Sequence, residues 1–256
     1  MNLTAVPAFS DNYIWMLDDG RSAIVVDPGE AGPVEAALDA RRLTLAAILV
    51  THHHADHVGG VDRLRSRLQG PVFGPAHEDV PQPCDGHVEG DVVQALGLRF
   101  EVIDVPGHTA GHIAFFNSEG AGEPIVFCGD TLFSAGCGKL FEGTPAQMFA
   151  SLNKLAALPD ATRVCCGHEY TVSNLRFAHA VEPNNDDIAR HIERCQVLRA
   201  AGKPTVPSPI GRERRINPFL RCAEPVVIEA AVAHGASGRG GGAVLGAIRT
   251  WKNEFR

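Results

Sequence analysis

Thr51-His52-His53-His54-Ala55-Asp56-His57 sets four potential metal ligands, His52, His54, Asp56 and His57, within six residues. The apolar run just before it, residues 46–50, ends in Ile48-Leu49-Val50 and predicts a strand. In an extended segment alternate side chains share a side, so His52 and His54 can face one ion. The chain must then turn, which lets Asp56 and His57 face a second. Val61, Leu64 and Leu68 follow at helical spacing. A histidine cluster held between a strand and an amphipathic helix is built into a fold, and strands mixed with helices predict a layered α/β or α+β core.

Three more segments repeat the pattern. Val105-Pro106-Gly107-His108 follows a predicted strand over residues 98–103, Cys128-Gly129-Asp130 closes one over 125–128, and Cys166-Gly167-His168 closes one over 163–166. Each sets a His or Asp at the C-terminal end of a strand beside a glycine that permits a tight turn. Residues 23–26 and 113–116 also read as strands. Imidazole and carboxylate together suit zinc, iron or manganese. The other histidines, His53, His77, His87, His179, His191 and His234, read as packing or surface residues. His112 reads as support behind the ligands rather than as one of them.

Beyond this region the pattern turns helical. Thr144-Pro145 opens a helix carrying Met148, Leu152 and Leu155 on one face. Residues 176–201 read as helix broken near Glu182-Pro183-Asn184, Pro204, Pro207 and Pro209 mark a connection, and 225–233 form a short helix. A glycine-rich loop, 235–242, precedes a last helix, 243–255. The expected division is a sheet-containing domain over residues 1–173 and a smaller helical domain over 174–256.

Composition narrows the class. The 256 residues are 45% hydrophobic, enough for a sizeable core, and the formal net charge of −7 disfavours a nucleic-acid partner. No apolar stretch approaches the ~20 residues of a membrane span. Seven cysteines, with no secretory pattern at the N-terminus, fit reduced thiols in a cytoplasm.

The motifs Thr-His-His-His-Ala-Asp-His, Gly-His-Thr-Ala-Gly-His, Cys-Gly-Asp-Thr and Cys-Gly-His-Glu-Tyr resemble those of the metallo-β-lactamase superfamily. The resemblance implies an α+β fold, an αββα sandwich with metals at one edge of its sheets. It implies that His52, His54 and His108 hold a first ion, that Asp56, His57 and His168 hold a second, and that Asp130 bridges them. Asp56 would also orient the attacking water, so that Asp56 and Asp130 form the catalytic pair. The segments 136–144, 167–171, 204–208, 217–221 and 249–252 resemble hydroxyacylglutathione hydrolases, the glyoxalase II family.

From that likeness Lys139, Tyr170, Arg249 and Lys252 are expected to hold glutathione, with Phe141 standing where some members have Tyr. The implied reaction is hydrolysis of S-(2-hydroxyacyl)glutathione, chiefly S-D-lactoylglutathione, by a monomer with two divalent ions, zinc first and iron or manganese next. The rival within the fold is a glutathione persulfide dioxygenase.

Overall fold

The computed structural model describes residues 1–119 and 122–255. Strands β1 (Asn2–Ala8) and β2 (Asn12–Asp18) form an antiparallel hairpin in register from Asn2↔Asp18 to Ala8↔Asn12. Then come β3 (Ser22–Val26), α1 (Ala31–Arg41), β4 (Thr44–Leu49), the short helices α2 (Ala55–Val58) and α3 (Val61–Leu64), β5 (Val72–Pro75) and β6 (Asp85–His87). These six strands make one sheet in sequence order, antiparallel from β1 to β3 and parallel from β3 to β6. Parallel pairing needs a crossover, supplied by α1 between β3 and β4 and by α2 and α3 between β4 and β5.

The inner strands β2 to β4 of the first sheet are buried on both faces. Ile14 and Met16 of β2, Ala23 and Val25 of β3, and Leu45 and Ile48 of β4 pack in one core with Val34 and Leu38 of α1 and Val61 and Leu64 of α3. The alternate positions, Trp15, Leu17, Ile24, Val26 and Leu49, are equally buried. A strand buried on both sides shows no alternation. Strand β2, buried at every position, shows none, and the hairpin is not among the strands read from the sequence.

The second sheet holds β7 (Val92–Ala95), β8 (Leu98–Asp104), β9 (Ile113–Asn117), β10 (Ile125–Gly129), β13 (Arg163–Cys166) and β14 (Ser208–Pro209), in the order β14-β13-β10-β9-β8-β7. β8 and β10 both pair antiparallel with β9, so they run the same way and end at the same edge. β11 (Leu132–Phe133) and β12 (Gly136–Cys137) form a small separate ladder. The six strand readings therefore hold to within two residues at each end.

The helices after β10 are α4 (Pro145–Ala156), α5 (Thr171–Val181), α6 (Asp186–Ala200), α7 (Ile210–Ile216), α8 (Pro225–Ala233) and α9 (Gly241–Glu254). Thr144 caps α4 through a reciprocal bond with Gln147. The break near Pro183 falls between α5 and α6. The expected loop 235–242 is shorter than its glycines suggest, because Gly241 and Gly242 are already the first turn of α9. A Cβ on Gly241 would meet the Phe149 ring of α4 at 2.1 Å, so glycine serves close helix approach there.

Packing groups the chain into two interleaved compact units. One contains Met1–Asp104, Ala110–Gly129 and Cys165–His168; the other contains Val105–Thr109, Asp130–Val164 and Glu169–Arg256. The segment from Asp130 to Val164 thus packs with the C-terminal helices, although it lies on the N-terminal side of residue 173.

Candidate metal centre and substrate contacts

In the first unit the cluster starts from the strand ends. Asp27 follows β3 and Thr51 follows β4, two neighbours in the parallel part of the sheet. The Thr51 backbone N–H donates to Asp27 Oδ1 at 2.7 Å, and its hydroxyl donates to Asp27 Oδ2 at 2.7 Å. His57 Nδ1 lies 3.1 Å from the same Oδ2. Asp27 is buried and takes φ 54°, an uncommon conformation for a residue with a side chain. One carboxylate thereby ties down the start of the histidine motif and the ring of its last member.

His52 Nε2 and His54 Nδ1 approach to 3.2 Å, and His52 Nδ1 meets the Thr51 hydroxyl at 3.1 Å. The His112 ring stacks on His52 with centroids 4.5 Å apart, the packing role expected of it. His53 turns aside, its Nδ1 2.9 Å from Glu78. Asp56, His57 and His168 converge: His57 Nε2 is 3.5 Å and His168 Nε2 is 3.4 Å from Asp56 Oδ2. His168 Nδ1 lies 2.9 Å from Asp11, and the Asn12 amide donates to Asp56 Oδ2 at 2.9 Å. Both supports come from the β1–β2 hairpin.

In the second unit, His108 Nε2 is 3.5 Å from Asp130 Oδ2, and His108 Nδ1 is 2.9 Å from the Lys139 carbonyl. Gly138 brings that stretch close: a Cβ there would fall 2.0 Å from the Asp130 carbonyl and 3.0 Å from His108 Nδ1. Gly107 and Gly129, expected to turn the chain beside their ligands, have φ 147° and 45°.

These spacings test the donor set. A charged imidazole–carboxylate hydrogen bond settles at ~2.7–2.9 Å. Tetrahedral ligation at ~2.0–2.1 Å sets neighbouring ligand atoms ~3.3–3.4 Å apart. The Nε2–carboxylate approaches, 3.4 to 3.5 Å, match ligation, while the Nδ1 contacts to Asp11 and the Lys139 carbonyl match hydrogen bonds. Rings whose Nδ1 is held by oxygen present Nε2 to an ion. The site residues fit divalent cations.

The four expected substrate contacts lie in the second unit and differ in how they are used. Arg249 is 7% exposed; its guanidinium donates to the Cys137 carbonyl at 2.8 Å and to Asn253 at 3.1 Å, and lies over the Phe219 ring. Its Nε is buried without an acceptor. Lys252, one turn on, donates to the Ser173 carbonyl and hydroxyl at 3.2 and 3.3 Å and sits over Phe177. Burial, and then the charge of Arg249, lower its pKa to about 8. Tyr170 is exposed and packs edge-on against Phe133. Lys139 is exposed, and its backbone holds His108. Phe141 is 64% exposed and meets the His108 ring edge-on.

Sequence reading missed Asp11, Asn12 and Asp27. Asp27 carries the same signal as the ligands, an acid at the end of an apolar run followed by Pro28-Gly29, but a lone acid there also reads as a turn.

Residues 169–255 match the family model described as hydroxyacylglutathione hydrolase C-terminus, and residues 8–168 match that of the metallo-beta-lactamase superfamily. A hydroxyacylglutathione hydrolase of Albidiferax ferrireducens is 57% identical over 255 residues, and one of Pseudomonas putida is 54% identical over 259, each spanning 100% of both chains. The chain belongs to the hydroxyacylglutathione hydrolases. The chain therefore has the α+β, αββα fold of its superfamily with the family's C-terminal region. Among solved structures, ETHE1 from Myxococcus xanthus is similar at TM-score 0.64 and 28% identity, covering 86% of this chain and 84% of that one. TTHA1623 in a di-iron-bound form is similar at TM-score 0.61 and 28% identity, covering 86% and 100%. The hydrolase carries His and Asp groups suited to a pair of divalent ions.

Proposed function

We propose that the chain hydrolyses S-(2-hydroxyacyl)glutathione, chiefly S-D-lactoylglutathione, to the hydroxy acid and glutathione. The observation that carries this reading is the match of residues 169–255 to the hydroxyacylglutathione hydrolase C-terminus. Full-length relatives of that name support it. The same match weighs against persulfide oxidation, since the helical region belongs to the thioesterase family.

In this reading His52, His54 and His108 hold one divalent ion, Asp56, His57 and His168 hold the other, and Asp130 serves both. Zinc is the first choice, with iron or manganese accepted by the same donors. When bound, such ions make water acidic enough to attack at neutral pH and polarise a carbonyl oxygen. Asp56, its side chain 42% exposed, orients the attacking water by accepting a hydrogen bond from it. Asn12 and His168 restrain the carboxylate for that task. Asp11, Asp27 and the Lys139 carbonyl hold the imidazoles in one tautomer. The glutathione thiolate leaves readily, so the residues need not supply a strong general acid.

The helical module, residues 174–256, then supplies Arg249 and Lys252 for the glutathione carboxylates, with Tyr170 and Lys139 beside them. Arg249 Nε is a buried donor awaiting an acceptor, which supports this role. The enzyme works as a monomer in the cytoplasm, in keeping with seven cysteines that are all thiols. No helix among the described residues is long and apolar enough to cross a membrane.

Thioester loss from S-D-lactoylglutathione, run beside oxygen uptake with glutathione persulfide, tests the assignment. Thioester turnover without oxygen uptake is expected. Oxygen uptake without thioester turnover would replace the hydrolase reading with the dioxygenase.

A further inference from the structure

Helices α6 and α7 flank an open depression rich in arginine. A cavity of about 160 Å³ between them is lined by Asp187, Arg190, His191, Arg194, Arg212 and Arg215. Residues 187, 190, 191 and 194 recur at helical spacing on α6, and 212 and 215 on α7, so each helix turns a face toward the same space. In a chain of net charge −7, four guanidinium groups here meet one lining carboxylate. Asp187 is already engaged, accepting from Arg190 at 3.0 Å and lying 3.5 Å from Arg215 Nε. Arg194 and Arg212 make no hydrogen bond or ion pair among the described residues, and the one carboxylate that favours the Arg212 charge is that of its neighbour Glu213. The nearby Glu213 carboxylate is committed elsewhere, to the Ser134 hydroxyl and the Ala135 N–H.

The floor of the cavity is a buried histidine. His191 is 5% exposed, and its Nε2 lies 3.5 Å from Cys195 Sγ one turn along α6. Burial raises the Cys195 pKa to about 11, so it is a thiol. Burial, then Arg212 and Arg194, lower that of His191 to about 4, so the ring is neutral. A neutral imidazole carries one N–H donor, so His191 adds a polar group to the lining without adding charge.

We infer that this cavity binds a small phosphate-bearing anion, held by Arg194 and Arg212 with Arg190, Arg215 and His191 around it. Converging guanidinium forks suit a tetrahedral oxyanion, which offers acceptors in several directions. An anion would also relieve the repulsion that Arg194 exerts on the partly buried Arg212. Nothing in the hydrolysis of a glutathione thioester requires this site.

Isothermal titration of the metal-loaded protein with pyrophosphate, inorganic phosphate and succinate tests the inference. Wild type should bind pyrophosphate more tightly than phosphate and both more tightly than succinate, with affinity falling as salt is added. Arg194→Gln with Arg212→Gln should weaken pyrophosphate by about tenfold or more. Asp187→Asn, which releases Arg190 and Arg215, should tighten it. Equal affinity in wild type and the double variant would place the anion at the metals and overturn the site. Succinate binding as tightly as pyrophosphate would overturn the phosphate class. Should the double variant be unstable, Arg194→Gln alone decides, because that side chain is exposed and partnerless.

Discussion

Asp27 is the residue that most changes the picture drawn from sequence. It accepts from the Thr51 N–H and hydroxyl and holds His57 Nδ1, all while in a left-handed backbone conformation. Supporting residues of this kind typically contribute ~10–100-fold to metal affinity or activity. Asp27→Ala should therefore weaken one ion by about that factor, read by competition with a chromophoric chelator, and Asp27→Asn should lie between. Arg249 and Lys252, one helical turn apart, are also less alike than their spacing suggests. Arg249 is built into the fold through the Cys137 carbonyl, so Lys252 is the cleaner probe of glutathione binding. Its pKa is lowered to about 8 from 10.5, so its charge fades as pH climbs through that value. KM for the glutathione thioester should rise there by roughly tenfold, and Lys252→Arg, which stays charged, should flatten the rise. Identical KM–pH profiles in the two proteins would remove Lys252 from the site. The same depression has a stability sign: its favourable contribution is complete above pH 10.5 and is lost as pH falls through about 8.

Among the elements, α7 is short but decisive. Its Glu213 is fully buried, accepting from the Ser134 hydroxyl and the Ala135 N–H, and Asn217 at its end donates to the Phe133 and Gly136 carbonyls. Two residues of one turn thus fix the connection between β11 and β12. Glu213→Ala orphans a buried N–H and opens a cavity, and should destabilise by about 3 kcal/mol in urea unfolding. Burial raises the Glu213 pKa above 4.5. The stability it adds is thus full below pH 4.5 and lost as pH rises through the folded value. Relative to Glu213→Gln, wild type should lose ground as pH rises through that window. The elements that could be read in advance are those whose chemistry repeats. β4, β8, β10 and β13 are each followed within four residues by a His or Asp of the candidate metal centre, and α4 opens on a capping box. The hairpin β1–β2 could not be read so, because no such motif closes it and β2, buried at every position, shows no alternation. Helix α1 buries only Ala31, Val34 and Leu38 among further alanines, a stripe too faint to stand out.

For the whole molecule, the gathering of His and Asp was legible because histidine and aspartate at strand ends have few other reasons to cluster. The packing of the helical region was not, because contacts such as Arg249 to Cys137 join residues 112 apart. Such pairings leave no local pattern. The helices after residue 173 pack on Asp130–Val164, so a fragment of residues 174–256 should lack a cooperative unfolding transition by calorimetry, whereas one of 130–256 should gain native-like helicity. The metals should also act on the whole fold. Elemental analysis of gently purified protein should give about two ions per chain. Ligand present at 100 times its dissociation constant adds about 2.7 kcal/mol per site. At roughly 2–4 °C per kcal/mol, chelation of both ions should lower Tm by about 10–20 °C, and readdition should restore it. An unchanged Tm would show that the ions are not bound by the folded state.

The packing of α4 on α9 also carries a consequence for synthesis. Met148, Leu152 and Leu155 of α4 are buried, as are Val244, Leu245 and Ile248 of α9, and 85 residues separate Ala156 from Gly241 (241 − 156). At ~5–20 residues per second, the ribosome leaves the apolar face of α4 without this partner for roughly 4–17 s on every nascent chain. Premature termination before α9 would make that interval permanent, so truncated products should collect with chaperones or in the insoluble fraction.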